Sequence, residues 1–176
     1  MSRSKNRRRE KQILKGSEKP VNADIYLRAL NLLTSRDHTT AELKRKLAAR
    51  GFSAESIVAV LAKLAGEGYL DDRRFAERWA ESALRSGRGY GLRILQELLR
   101  RGLPREIAVA AVAAATAEYS AHDALAAIVT RRFSAFDPAS SPLKEKQRVY
   151  SYLQRRGFSM QTIAGFFQIR AEELDR

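Results

Sequence analysis

Three short segments of the chain, LAARGFS, LLRRGLP and LQRRGFS, repeat one device and limit the fold more than any other feature. Their glycines, Gly51, Gly102 and Gly157, lie 51 and 55 residues apart; each follows an arginine (Arg50, Arg101, Arg156) and precedes a large apolar residue (Phe52, Leu103, Phe158). A glycine just beyond an apolar helical stripe suits the left-handed position that closes a helix, a conformation most side chains resist. The frame extends both ways. Four and eight residues before each glycine stand Leu47 with Leu43, Leu98 with Ile94, and Leu153 with Val149. Six, nine and ten residues after it stand Ile57, Val60 and Leu61, then Ala108, Ala111 and Val112, then Ile163, Phe166 and Phe167. Both spacings are helical. A period of about fifty residues holding three short helices predicts a tandem array, because one such unit buries too little surface to stand alone.

The expected fold is therefore all-α: an elongated array of three three-helix, helix-turn-helix-like repeats over residues 21–69, 70–119 and 120–176. In the first, a helix from Asn22 places Tyr26, Ala29, Leu30 and Leu33 on one face. Thr39 and Glu42 form a capping box that opens a second helix. Ser53 caps a third, with the stripe Ile57, Val60, Leu61 and Leu64, which Gly66 ends. In the middle repeat small residues replace large ones, so the alanine-rich stretch after Pro104, itself at N1, is expected to be pressed between neighbours. SAFDPASSP, residues 134–142, is the one long loop, and mobility is expected there.

Lys and Arg number 33 against 20 Asp and Glu, a net charge of +13, which points to a polyanionic partner. Residues 1–20 hold eight of the bases and two of the acids with few apolar side chains, and read as a disordered basic arm. The chain has no cysteine, which excludes disulfides, zinc fingers and thiol catalysis and fits the cytoplasm. The longest apolar run, Ile107 to Ala117, is far short of the ~20 residues a membrane span needs.

Catalysis finds little support. His38 precedes a capping box and His122 lies in the first turn of a helix opened by Ser120, and neither has triad or metal spacing around it. Asp71 and Asp72 sit where an N-cap and a first-turn anion belong. GRGYGLRI, residues 87–94, lacks the Lys-Ser/Thr of a Walker loop and no strand precedes it, so it reads as an inter-helix turn. No cofactor or metal is expected. Trp79 and Phe75, at i and i+4, read as core.

The basic residues group by helix. Lys44, Arg45, Lys46 and Arg50 belong to the first repeat. The second carries Arg73, Arg74, Arg78, Arg85, Arg88, Arg93, Arg100 and Arg101, with Arg85, Arg88 and Arg93 around the glycine turn as a phosphate-contact cluster. The third carries Lys144, Lys146, Arg148, Arg155 and Arg156. If Arg50, Arg101 and Arg156 occupy equivalent places, the array shows a basic stripe suited to an extended polyanion.

The segments ALNLLTSRDHTTAELKRKLAARGFS, GYLDDRRFAERWAESAL and GLRILQELLRRGLP resemble the RecX family of recombination regulators, over about residues 24–168. The paired aspartates followed by RRFA are the most specific part. The resemblance implies a curved array, with no cofactor, that lies in the groove of a RecA filament on single-stranded DNA and restrains recombination and ATP hydrolysis. A monomer with weak non-specific affinity for DNA is expected. A sequence-specific helix-turn-helix transcription regulator is the alternative. It would need base-reading side chains at the start of each third helix, yet Ala54, Glu55 and Ser56 stand there in the first repeat, Arg105 and Glu106 in the second. Only Met160, Gln161 and Thr162 in the third leave base reading open. An enzyme acting on nucleic acid lacks a credible carboxylate cluster.

Overall fold

The computed structural model describes residues 18–168, in which nine helices and no strand are found. They are α1 (Glu18–Ser35), α2 (Thr40–Ala48), α3 (Ala54–Gly66), α4 (Asp72–Arg85), α5 (Leu92–Arg100), α6 (Arg105–Glu118), α7 (Ala121–Arg132), α8 (Leu143–Arg155) and α9 (Met160–Phe167). The expected all-helical grouping in threes is what the chain adopts. Two compact units result, one ending at Asp71 and the other beginning at Asp72.

The first unit packs α1, α2 and α3 around Ile25, Ala29, Leu43, Leu47, Ile57, Val60, Leu61, Leu64 and Leu70. Among the described residues the first helix runs from Glu18, ahead of the Asn22 expected from the sequence. The rest of the basic arm lies outside the described residues. On α1 the deepest positions are Ile25 and Ala29, with Tyr26, Leu30 and Leu33 flanking them. Thr39 caps α2 as expected, its hydroxyl accepting from Glu42 N–H at 3.0 Å. Ser53 caps α3 by accepting from Ser56 N–H at 3.2 Å. Gly66 is the last residue of α3, as expected, and the left-handed residue of the turn that follows is Gly68, at φ 77°.

His38 is fully buried, its Nδ1 3.2 Å from Glu42 Oε2, while Arg36 reaches the same oxygen at 3.4 Å. Burial holds the imidazole below its ordinary pKa, opposed by the Glu42 hydrogen bond and reinforced by the charges of Arg36 and Lys46. Below about pH 6.5 the unfolded chain therefore binds more protons at this site than the folded one. Stability is fully present above that pH and is lost as pH falls toward the lowered folded-state value. Urea midpoints compared at pH 7.5 and 5.5 should show this loss in the wild type, and His38→Gln should reduce it; an unchanged pH dependence in the variant would contradict the assignment.

The second unit has two cores. One comprises Phe75, Ala76, Ala80, Ala83 and Leu84 of α4, Ile94 and Leu98 of α5, Leu103, and Ala108, Ala111 and Ala115 of α6. The alanines do bring helices close: the buried set on α6 faces α4 of its own group of three. With methyl groups on both surfaces, backbones can approach as bulkier side chains would not allow. Pro104 stands one residue earlier than expected, at the N-cap position of α6.

The other core gathers Leu125 and Ile128 of α7, Val149, Tyr150 and Leu153 of α8, Phe158, and Ile163 and Ala164 of α9. Tyr90, between α4 and α5, packs against both cores. In the loop of residues 134–142, Asp137 accepts from Ala139 N–H at 2.9 Å and from the Ser140 hydroxyl at 2.5 Å. Those bonds hold its carboxyl below the usual range, the Ser140 bond most strongly. Phe136 anchors the loop edge-on against Tyr150 and Phe167.

Candidate functional site

The glycine turn between α4 and α5 places two left-handed residues, Gly87 (φ 63°) and Gly91 (φ 45°), within five positions, so the backbone doubles back and carries Arg88 over α4. Arg88 is fixed there by hydrogen bonds to the Ser86 hydroxyl (2.9 Å) and the Ser82 hydroxyl (2.8 Å). Its guanidinium lies 5.4 Å from the centroid of the Trp79 ring. Arg101, one residue past α5, lies 5.3 Å from the same ring and 6.0 Å from that of Phe75. Arg101 Nε is also 3.6 Å from Glu97 Oε1, and Arg100 pairs with the other oxygen of Glu97.

From the third group of helices, Arg156 donates through Nη1 to the Arg88 carbonyl at 2.7 Å, and its own carbonyl accepts from Tyr90 N–H at 2.7 Å. The Arg156 guanidinium sits 4.9 Å from the Tyr152 ring. The stacked rings of Tyr90 and Phe158, with centroids 5.2 Å apart, close this junction from behind. Burial holds the Tyr90 hydroxyl above its ordinary pKa. That hydroxyl donates to the Tyr119 carbonyl at 3.3 Å.

The outcome is a cavity of about 250 Å³ lined by Trp79, Arg88, Arg93, Glu97, Arg101 and Arg156. Four cationic side chains meet one carboxylate. Such a field, against the apolar wall of Trp79 and Ile94, favours an anion with acceptors for the planar guanidinium forks.

Of the basic residues singled out in the sequence, this cavity brings together Arg88, Arg93, Arg101 and Arg156. Arg85 is close by in sequence but turns to Tyr119, donating to its hydroxyl at 3.0 Å. Arg73, Arg74, Arg78 and Arg100 are exposed on α4 and α5. Lys144, Arg148 and Arg155 are exposed on α8, Lys146 is half-buried, and Arg148 pairs with Glu145 at 3.5 Å. In the first unit Lys44, Arg45 and Arg50 are exposed and Lys46 half-buried, with Arg50 bonded to the Lys46 carbonyl at 3.0 Å.

Sequence reasoning missed three contributors. Trp79, read as core, is only partly buried and forms the shelf on which two arginines lie. Arg131 ties α7 to the glycine turn through the Ser86 carbonyl at 3.0 Å, and Arg132 lies 4.8 Å from the Tyr152 ring. The signal for both was present as a basic pair in the last turn of α7, the position a helix dipole favours. Asp71 and Asp72 stand immediately before α4 and at its first residue, the places expected of a cap and a first-turn anion. His122 is exposed and rests against Phe166, with centroids 5.0 Å apart. Among the described residues no group of three or more His, Asp or Glu side chains is placed to hold a metal ion. Nor is any helix among them long and apolar enough to cross a membrane.

Three family models match the chain in succession: the RecX first three-helix domain over residues 26–64, the second over 71–112 and the third over 118–167. The regulatory protein RecX of Trichlorobacter lovleyi is 39% identical over 153 residues, which span 87% of this chain and 98% of that protein. Its namesake from Serratia proteamaculans is 33% identical, spanning 82% of this chain and 96% of its own. A crystal structure of RecX from Lactobacillus salivarius superposes with a TM-score of 0.66 at 21% identity, covering 89% of this chain and 98% of that one. A second crystal structure, of regulatory protein RecX, reaches 0.73 at 22% identity over 90% of this chain and 77% of that one. Helices grouped in threes, each group carrying the recurrent glycine between its second and third helix, thus coincide with matches along nearly the whole described length, and the chain belongs to the RecX family of regulatory proteins.

Proposed function

We propose that this protein binds RecA and RecA filaments on single-stranded DNA in the cytoplasm, and inhibits ATP hydrolysis and filament extension without catalysis of its own. Membership of the RecX family directs the reading to RecA. The observation that carries it is the concentration of guanidinium groups around the glycine turn, held by neutral acceptors and aromatic faces and balanced by Glu97 alone among the cavity's residues. Such a surface suits the phosphates of a nucleoprotein filament. A sequence-specific repressor is disfavoured by the exposed Glu55 and Glu106 in the first turns of α3 and α6, which would face phosphate if those helices entered a groove.

Adding the protein to RecA on single-stranded DNA should lower the steady-state ATPase rate. Arg93→Glu combined with Arg155→Glu, both at exposed positions, should raise the concentration for half-inhibition by roughly tenfold or more and flatten its salt dependence. Arg101 is a poorer choice for reversal because it packs on Trp79 and Phe75, so its loss also disturbs the fold. An unchanged ATPase rate and unchanged filament length at saturating protein would refute the proposal.

A further inference from the structure

The arginine cavity has a feature that a surface stripe does not: its walls come from two groups of helices. Arg88, Arg93 and Arg101 belong to the second group and Arg156 to the third, and they line one space of about 250 Å³. That volume is below the ~300–1,000 Å³ of pockets that enclose a whole drug-sized ligand, so it suits a small charged group with what adjoins it.

Three of the four guanidiniums are already positioned. Arg88 is held by two serine hydroxyls, Arg156 by the Arg88 carbonyl, and Arg101 by Trp79 and Glu97. Each guanidinium has five N–H donors, and these contacts occupy one or two of them on Arg88 and Arg156. Ordering costs on binding are correspondingly small. Arg93, exposed in the first turn of α5, makes no ion pair among the described residues. Glu97 is engaged by Arg100 and Arg101, which leaves Arg88, Arg93 and Arg156 without a carboxylate.

We infer that this cavity is a specific site for a phosphate group, and that its occupation ties the third group of helices to the second by bridging Arg93 and Arg156. A phosphate presents several acceptor oxygens to guanidinium forks arriving from different directions, which a carboxylate does less well. The phosphate comes either from a nucleic-acid backbone or from a free phosphoanion. The bridge would act on the junction already made by the Tyr90 N–H to Arg156 carbonyl bond and by the Tyr90–Phe158 stack. The inference goes beyond filament binding, because it concerns the protein alone.

The test uses the full chain at fixed ionic strength, with pyrophosphate and an oligothymidylate lacking a terminal phosphate as separate probes. Calorimetry reads affinity, and amide exchange followed by NMR reads protection at Tyr90. Arg93→Gln removes a lining guanidinium; Arg105→Gln removes an equal charge from an exposed position outside the cavity. The expected result is that at least one probe binds, slows exchange at Tyr90, and loses about tenfold in affinity in Arg93→Gln but less than about twofold in Arg105→Gln. Pyrophosphate behaving so identifies a free phosphoanion as a sufficient ligand; the oligonucleotide alone behaving so assigns the phosphate to a nucleic-acid strand. Equal losses in the two variants, no binding of either probe, or binding without protection at Tyr90 would overturn the inference. RecA takes no part, so failure here is separable from failure of the ATPase experiment.

Discussion

Gly157→Ala is expected to destabilise the second unit by roughly 3 kcal/mol, whereas Gly51→Ala, at the matching position of the first unit, costs about 1–2 kcal/mol. Both glycines are left-handed, at φ 97° and φ 83°, so a side chain at either carries the same backbone penalty. Their surroundings differ. A Cβ at Gly51 meets nothing within 4 Å, while one at Gly157 falls 2.2 Å from the Tyr90 carbonyl oxygen and 2.8 Å from Arg93 Cβ. The first of these neighbours is backbone and cannot rotate aside, so α8 or the glycine turn must shift and the Tyr90–Arg156 bond must stretch or break. Denaturant unfolding of both variants beside the wild type measures the difference. Equal losses would mean that the close approach at Gly157 does not exist in solution.

That contrast shows what the sequence makes legible. The repeated glycine, the apolar residues four and eight positions before it and the apolar positions after it follow from helix geometry, which is local. Leu43, Leu47, Ile94, Leu98, Val149 and Leu153 are accordingly buried as their spacing predicts. Spacing alone does not single out Ile25, because Tyr26 and Leu30 set the α1 face one position round the helix; which edge of an apolar stripe goes deepest depends on α2 and α3. The partner of the α6 alanines was likewise beyond local pattern, since their small size announces a close approach without saying to what.

The site was legible in its residue types and not in its assembly. Nearness along the chain groups Arg85 with Arg88 and Arg93, yet Arg85 turns away to Tyr119 while Arg156, 68 residues from Arg88, closes the cavity. Only tertiary packing makes that exchange. Helical spacing with Phe75 marks Trp79 as core, a pattern that is blind to whether one edge of a large ring remains open to a cation.

Tyr90→Ala should separate two unfolding events that the wild type merges. Tyr90 packs against both cores of the second unit from the junction between them: it stacks on Phe158, donates through its hydroxyl to the Tyr119 carbonyl, and donates through its N–H to the Arg156 carbonyl. Removing the ring deletes the first two contacts and leaves the third, a loss of about 2–4 kcal/mol for a partly buried aromatic. In a tandem array, stability is approximately the sum of what each unit holds internally and what neighbouring units hold between them, so damage confined to the junction lowers the second term while leaving the Leu98 and Leu153 cores intact. The α7–α9 group is then expected to melt first, giving a broadened or two-step transition by calorimetry, with the calorimetric enthalpy exceeding the van't Hoff value. Tyr90→Phe keeps the stack and loses only the hydroxyl bond, so it should shift the transition by about 1 kcal/mol without splitting it. A single sharp transition in Tyr90→Ala, displaced but unbroadened, would show that the two groups are coupled chiefly by other contacts, of which the Arg131 bond to the Ser86 carbonyl is the next to remove.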